Sequence, residues 1–139
     1  MKYCRIDLSK TNYTKLSNWQ YLSTFDQLPG IYKTYCEYKK FDSVMPLFHN
    51  QFVDTQNDVL GYYNGFQLVA FSLIKRHDWV NAEALQFAWD YANPELHLGI
   101  ESLKHECAVY KERGFKYLYL GEAHHYKSQL DGFEILGKA

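Results

Sequence analysis

The chain has 139 residues, 47% of them apolar and 18% aromatic, with 13 tyrosines. That is enough to bury a core of its own, and too apolar a composition for a disordered segment. A net charge of −1, with Lys and Arg spread along the chain, offers no basic patch that calls for a nucleic-acid partner, and no apolar run is long enough to span a bilayer. In chain order, KYCRIDL alternates and reads as a first strand. SNWQYLSTFDQL reads as a helix capped by Ser17, and LPGIYKTYCEYKKF as a second, short helix after a breaker. PLFHNQFVDTQND reads as loop and turn. VLGYYNGFQLVAFSLIKR is two apolar runs joined by Asn64-Gly65, a hairpin signal because both residues tolerate positive φ. NAEALQFAWDY reads as the next strand, with Leu85, Phe87, Trp89 and Tyr91 on one side and Gln86, Ala88 and Asp90 on the other.

A helix follows. Leu96, Ile100, Leu103, Cys107 and Tyr110 form one apolar stripe, while Glu101, Lys104, His105, Lys111 and Glu112 lie off it. Arg113-Gly114 marks its end, with a cation in the last turn and a glycine at the C′ position. FKYLYLGE is a further strand, so strand, helix and strand make a crossover unit whose strands are parallel or splayed neighbours. AHHYKSQL is a short helix or loop, and GFEILG a last strand. The order β-α-α-β-β-β-α-β-(α)-β predicts one α+β domain over residues 1–139, with a mixed, mostly antiparallel twisted sheet. The N-terminal MKYCRIDLSK lacks the apolar stretch of a signal peptide. Cys4, Cys36 and Cys107 are far apart without metal-ligand spacing, and are expected as reduced thiols of a cytoplasmic protein.

The segment NPELHLGIESLKHE admits two readings. An open helix end presents unpaired amides and partial positive charge, and Gly99 lets an anion approach the backbone closely. Alternatively, Asn93 caps a helix that begins at Pro94 and leaves Gly99 in its interior, at a cost of about 1 kcal/mol relative to alanine.

These elements and residues resemble the GNAT superfamily, the Gcn5-related N-acetyltransferases, over residues 57–136. The resemblance rests on GYYNGFQLVAFSLI, on LQFAWDY running into LHLGIESLKHE, on YKERGFKYLYL and on DGFEI. HLGIESLKHECAVYKERGFKYLYLGE is also similar to the second half of the arginyl- and leucyl-transfer-RNA–protein transferases, through Leu98-Gly99 and Tyr119-Leu120-Gly121. YKSQLDGFEIL resembles the segment that closes those enzymes. Most GNAT enzymes carry Gln/Arg-x-x-Gly-x-Gly/Ala before the central helix. LHLGIE keeps only Gly99 of that pattern and places Glu101 at its last small residue.

The resemblance implies a GNAT-like fold with helices on both faces of the sheet. It implies an acyl-CoA-dependent N-acyltransferase, an N-acetyltransferase using acetyl-CoA as cosubstrate on a small-molecule or peptide amine. The coenzyme pyrophosphate would meet the amides of His97, Leu98, Gly99 and Ile100, and the acyl arm would lie along Phe87, Ala88 and Trp89. Tyr126 falls near the family's tyrosine acid, though further from Gly132 than is usual. Glu83 and Asp90 border the cleft as candidate bases. The family often forms dimers, and the aromatic content is compatible with a homodimer. Two other readings stand beside this one: a GNAT-fold binding module that has lost catalysis, and transfer-RNA-dependent aminoacyl transfer, against which the near-zero charge counts. His124 and His125 are adjacent and point apart, so they are not expected to share a metal. Cys107 lies on the apolar stripe and reads as core.

Overall fold

A computed structural model describes residues 2–40, 49–91 and 94–138. Its strands are β1 (Lys2–Asp7), β2 (Trp19–Tyr21), β3 (Asn57–Asn64), β4 (Gln67–Arg76), β5 (Asn81–Trp89), β6 (Tyr117–Glu122) and β7 (Phe133–Lys138). Its α-helices are α1 (Leu28–Lys39), α2 (His49–Val53) and α3 (Leu98–Glu112), with 3-10 turns at Leu8–Lys10, Pro94–Leu96 and His125–Gln129. The strands form one sheet in the order β2-β3-β4-β5-β6-β1-β7. Its pairings are antiparallel except β5 with β6, which is parallel across the α3 crossover. Among the described residues no helix is long and apolar enough to cross a membrane.

The middle of the sheet is buried on both faces, which is why β3 and β4 read as near-continuous apolar runs. Leu60, Tyr62, Ala70 and Ile74 pack toward α3 with Leu103, Cys107 and Tyr110. Val59, Phe71 and Leu73 pack toward α1 with Leu28 and Ile31. Burying each such large side chain contributes roughly 1.5–3 kcal/mol. The far end of α3 is tied to β3: Asp58 accepts hydrogen bonds from the Tyr110 hydroxyl at 2.7 Å and from Arg113 at 2.6 Å.

Four local expectations change. The first predicted helix is absent: Trp19–Tyr21 pairs with β3 as an edge strand, opposite Tyr62, Gly61 and Leu60, and Ser17 caps nothing. A tertiary contact overrides the pattern there, because the Trp19 ring packs edge-on against His105 of α3, centroids 4.6 Å apart. In the expected loop over residues 46–58, His49–Val53 is a helix, Asn57 and Asp58 begin β3, and residues 46–48 lie outside the described residues. The β3–β4 hairpin turns at Gly65-Phe66, between the pair Asn64 and Gln67. Gly65 has φ +65 and Phe66 is not among the positive-φ residues, so a glycine-first turn replaces one centred on Asn64-Gly65. Lastly, β5 carries a bulge. Gln86 stands opposite Leu73 and Ala84 opposite Ile74, leaving Leu85 unopposed. The extra residue turns Leu85 to the α1 face, away from Phe87 and Trp89.

On α3 the stripe of Leu103, Cys107 and Tyr110 is buried as expected, but Leu96 belongs to the preceding 3-10 turn. His105, expected off the stripe, is fully buried under the segment after β1, whose Leu16 amide donates to its Nδ1 at 2.9 Å. Burial pushes its imidazole down to about 4. The cysteines are free thiols, Cys4 and Cys107 buried and Cys36 half-buried.

Candidate active site

The site begins where the sheet comes apart. β5 and β6 run parallel through the pairs Asn81–Tyr117, Ala82–Leu118 and Glu83–Tyr119, and no further. The bulge at Leu85 falls just beyond the last pair, and bulges bend a strand away from its neighbour. Past Glu83, the edge of β5 that faces β6 has no strand partner among the described residues, while β4 pairs the opposite edge as far as Trp89. Phe87, Ala88 and Trp89 therefore line an opening whose backbone edge is free to pair with an extended ligand. A cavity of about 400 Å³ occupies the parting, between residues 83–86 of β5 and residues 120–122 of β6, with Gln51 at its side.

The connection from β5 places the N-terminus of α3 at the open end of this cleft. His97 lies in the left-handed region (φ 49, ψ 41), and its carbonyl accepts the first helical hydrogen bond from Glu101 at 3.0 Å. The amides of Leu98, Gly99 and Ile100 thus precede the first helical bond. The α-helix does not begin at Pro94, where only a 3-10 turn stands, and Asn93 lies outside the described residues. A Cβ built on Gly99 would meet nothing within 4 Å, so there is open space beside Gly99. Tyr91 (φ 57) and His97 (φ 49) are both non-glycine residues in left-handed conformations and bracket the connection. Such residues cost on the order of 1–3 kcal/mol each and concentrate at binding sites. Glu101 is half-buried with its carboxylate 3.8 Å from Lys104, so its charge is directed along the helix.

Of the three candidate catalytic residues, the structure brings Glu83 to the cleft. Its Oε1 lies 2.7 Å from Nε2 of His77, and it also lines a second cavity of about 450 Å³ on the sheet face opposite α3. Tyr126 sits in the 3-10 turn after β6. Burial, then the nearby carboxyl of Glu106, then Tyr91 and Cys4, push its hydroxyl above the ordinary tyrosine value, although the residue is 45% exposed. Tyr91 lies two residues past the end of β5, and Cys4 belongs to β1. Asp90 follows β5, its amide donating to Val69 at 2.9 Å, and it lines neither cavity. His124 lies 3.8 Å from Glu122 and stacks on Tyr126. Among the described residues no group of three His, Cys, Asp or Glu side chains is placed to hold a metal.

Sequence reasoning missed two buried charges beneath the cleft. Lys127, 9% exposed, donates to the carbonyls of Leu120 at 2.8 Å and Glu122 at 2.9 Å. Glu106, 1% exposed, is hydrogen-bonded by Ser72, whose Oγ lies 2.9 Å from the Tyr62 hydroxyl, and its Oε2 has no partner. Burial raises the Glu106 carboxyl to about 8, against the opposing pull of Ser72 and Lys127. Glu106 was legible in principle: it lies three residues after Leu103 and four before Tyr110, the spacing of the apolar face. Lys127 carried no such signal, because its partners are backbone carbonyls.

No family model and no curated protein matches the sequence. Solved structures share the fold. The C-terminal domain assigned to a lysylphosphatidylglycerol synthetase of Agrobacterium fabrum superposes with a TM-score of 0.67 at 11% identity, covering 88% of this chain and 46% of that one. A GCN5-related N-acetyltransferase from Kribbella flavida gives 0.61 at 9% identity, covering 96% and 53%. Saccharomyces cerevisiae N-myristoyltransferase with bound myristoyl-CoA gives 0.60 at 10% identity, covering 95% and 46%. The chain therefore spans about half the length of these structures and has the GNAT fold, a mixed, mostly antiparallel sheet with helices on both faces.

Proposed function

We propose that the chain is an acyl-CoA-dependent N-acyltransferase, specifically an N-acetyltransferase that takes acetyl-CoA and an amine acceptor. The observation that carries this reading is the parting of β5 from β6 after Glu83, which opens a bare strand edge leading to the free amides of α3. The residues fit the coenzyme in two respects. Leu98, Gly99 and Ile100 offer amides and open space to a pyrophosphate, and the edge of Phe87, Ala88 and Trp89 offers backbone pairing to an acyl arm. The coenzyme supplies a thioester.

The chain's own groups supply the proton transfers. Glu83 takes the first proton from the acceptor ammonium and passes it to water. The amine nitrogen then forms the C–N bond as the C–S bond breaks. Tyr126, kept protonated by its surroundings, gives its proton to the departing thiolate. The second nitrogen proton leaves as the amide forms and restores Tyr126 through water, so one proton is released per turnover. Free cysteines suit a reducing, cytoplasmic setting. Exposed Ile135 on the edge strand β7 leaves a surface for a homodimer.

A second reading, a binding module without catalysis, is favoured by the departure of LHLGIE from the family's pre-helix pattern, of which only Gly99 remains. Calorimetric titration of acetyl-CoA into the pure protein, followed by a thiol-release assay with amines, separates the readings. The enzyme binds saturably and turns over, and binding without turnover leaves the module. If neither acetyl-CoA nor coenzyme A binds, the acyltransferase reading is lost.

A further inference from the structure

We infer that the cavity on the sheet face opposite α3 is the acceptor subsite, and that it takes a small primary amine with a single positive charge on an apolar body. This rests on the acyltransferase reading above. The cavity measures about 450 Å³, within the range of small-molecule sites. Glu83 and Gly121 line both it and the acyl cleft. An amine held against Glu83 from this side is therefore at the wall of the space where a thioester would lie.

The charge of the cavity selects a cation. Glu83 and Asp78 line it, and among the described residues that line it there is no lysine or arginine. Asp78 is fixed in place: Oδ1 accepts from the amides of Val80 and Asn81, both at 2.8 Å, and Oδ2 from the Asn81 side chain at 2.9 Å. Nε2 of His77 lies 2.7 Å from Oε1 of Glu83, which orients the carboxylate and leaves Oε2 for an ammonium. Lys75 stands opposite Glu83 on β4 but does not line the cavity. The nearby guanidinium of Arg5 is already engaged, 3.7 Å from the centroid of Tyr117 and 2.9 Å from Glu134.

The remaining wall selects an apolar body. Tyr3, Tyr119 and Leu136 line it, side chains suited to an alkyl or aryl group behind a cationic head. A zwitterion or a carboxylic acid would set its own negative charge against Glu83 and Asp78.

The test uses 2-phenylethylamine and phenylacetate, which share a body and differ in charge, titrated calorimetrically into the full chain with and without coenzyme A. The amine is expected to bind at least tenfold more tightly than the acid. Leu136→Lys, at a position 46% exposed, is expected to weaken the amine tenfold or more and leave the acetyl-CoA titration unchanged. Glu83→Gln is expected to weaken the amine without placing new bulk in the cavity. Equal binding of amine and acid, indifference to both substitutions, or a clear preference for a lysine-containing peptide over the small amine overturns the inference. Amine selectivity without acetyl-CoA binding would remove the enzyme and keep the cation subsite. Acetyl-CoA binding without amine selectivity would do the reverse.

Discussion

Glu83 stands opposite Tyr119, and that pair is the last between β5 and β6. One residue thus marks the hinge of the parting and lines both cavities. In the proposed reaction a carboxylate at this point would meet the acceptor on one side and the reacting carbonyl on the other. Tyr126 sits in the turn after β6, where burial and the Glu106 carboxyl act on it.

Gly99→Val adds a side chain in the first turn of α3, beside the free amides, where its Cβ has nothing within 4 Å. The variant is expected to fold with nearly unchanged melting temperature and to bind acetyl-CoA about tenfold more weakly or worse. Calorimetry beside thermal unfolding checks both halves. A folded variant that binds as before would remove the helix end from the site.

Tyr126→Phe is expected to lower kcat by roughly 10²–10⁴-fold, the usual range for a lost acid–base group, with little change in the KM for acetyl-CoA. Because burial and the Glu106 carboxyl raise the Tyr126 hydroxyl above its ordinary value, the alkaline loss of kcat should lie above that value in the wild type and vanish in the variant. Steady-state kinetics across pH read this directly. Unchanged turnover would return Tyr126 to packing.

Glu101→Gln is expected to cost at most about 0.5 kcal/mol, from the helix dipole and the pair with Lys104. Acetyl-CoA affinity should be the same in both proteins at low and at high salt, because the charge is directed along the helix. Tighter binding by the variant at low salt, where screening is weakest, would mean that Glu101 repels the pyrophosphate and would favour the binding module.

Glu106 makes stability depend on pH. Its carboxyl ionises near 4.5 in the unfolded chain and near 8 in the folded protein, because burial opposes the charge. Between those values the unfolded state has released a proton that the folded state keeps, so stability falls as pH rises through the window. Glu106→Gln keeps the shape and removes the titration. Its melting temperature is expected to gain on the wild type between pH 5 and pH 8, by on the order of 10 °C. Melting curves that stay parallel across the window would show that Glu106 is not the group responsible.

The sequence by itself determined the element types wherever the signal was local and repeated. The apolar runs around Asn64-Gly65, the stripe of Leu103, Cys107 and Tyr110, and Arg113-Gly114 at the helix end each state a period or a stop that neighbouring residues can satisfy. They were enough to predict the crossover and the mixed sheet. Contacts between distant segments decided the rest. Trp19 joins a strand because β3 and His105 receive it, and Leu85 changes faces because a bulge inserts one residue without altering the alternation that can be read along β5. Lys127 finds its partners in two backbone carbonyls of β6, and Glu106 becomes a neutral acid because the sheet covers it. Periodicity reports which side of an element is apolar. It does not report what another element brings to that side, and burial, pairing and charge at this site depend on that.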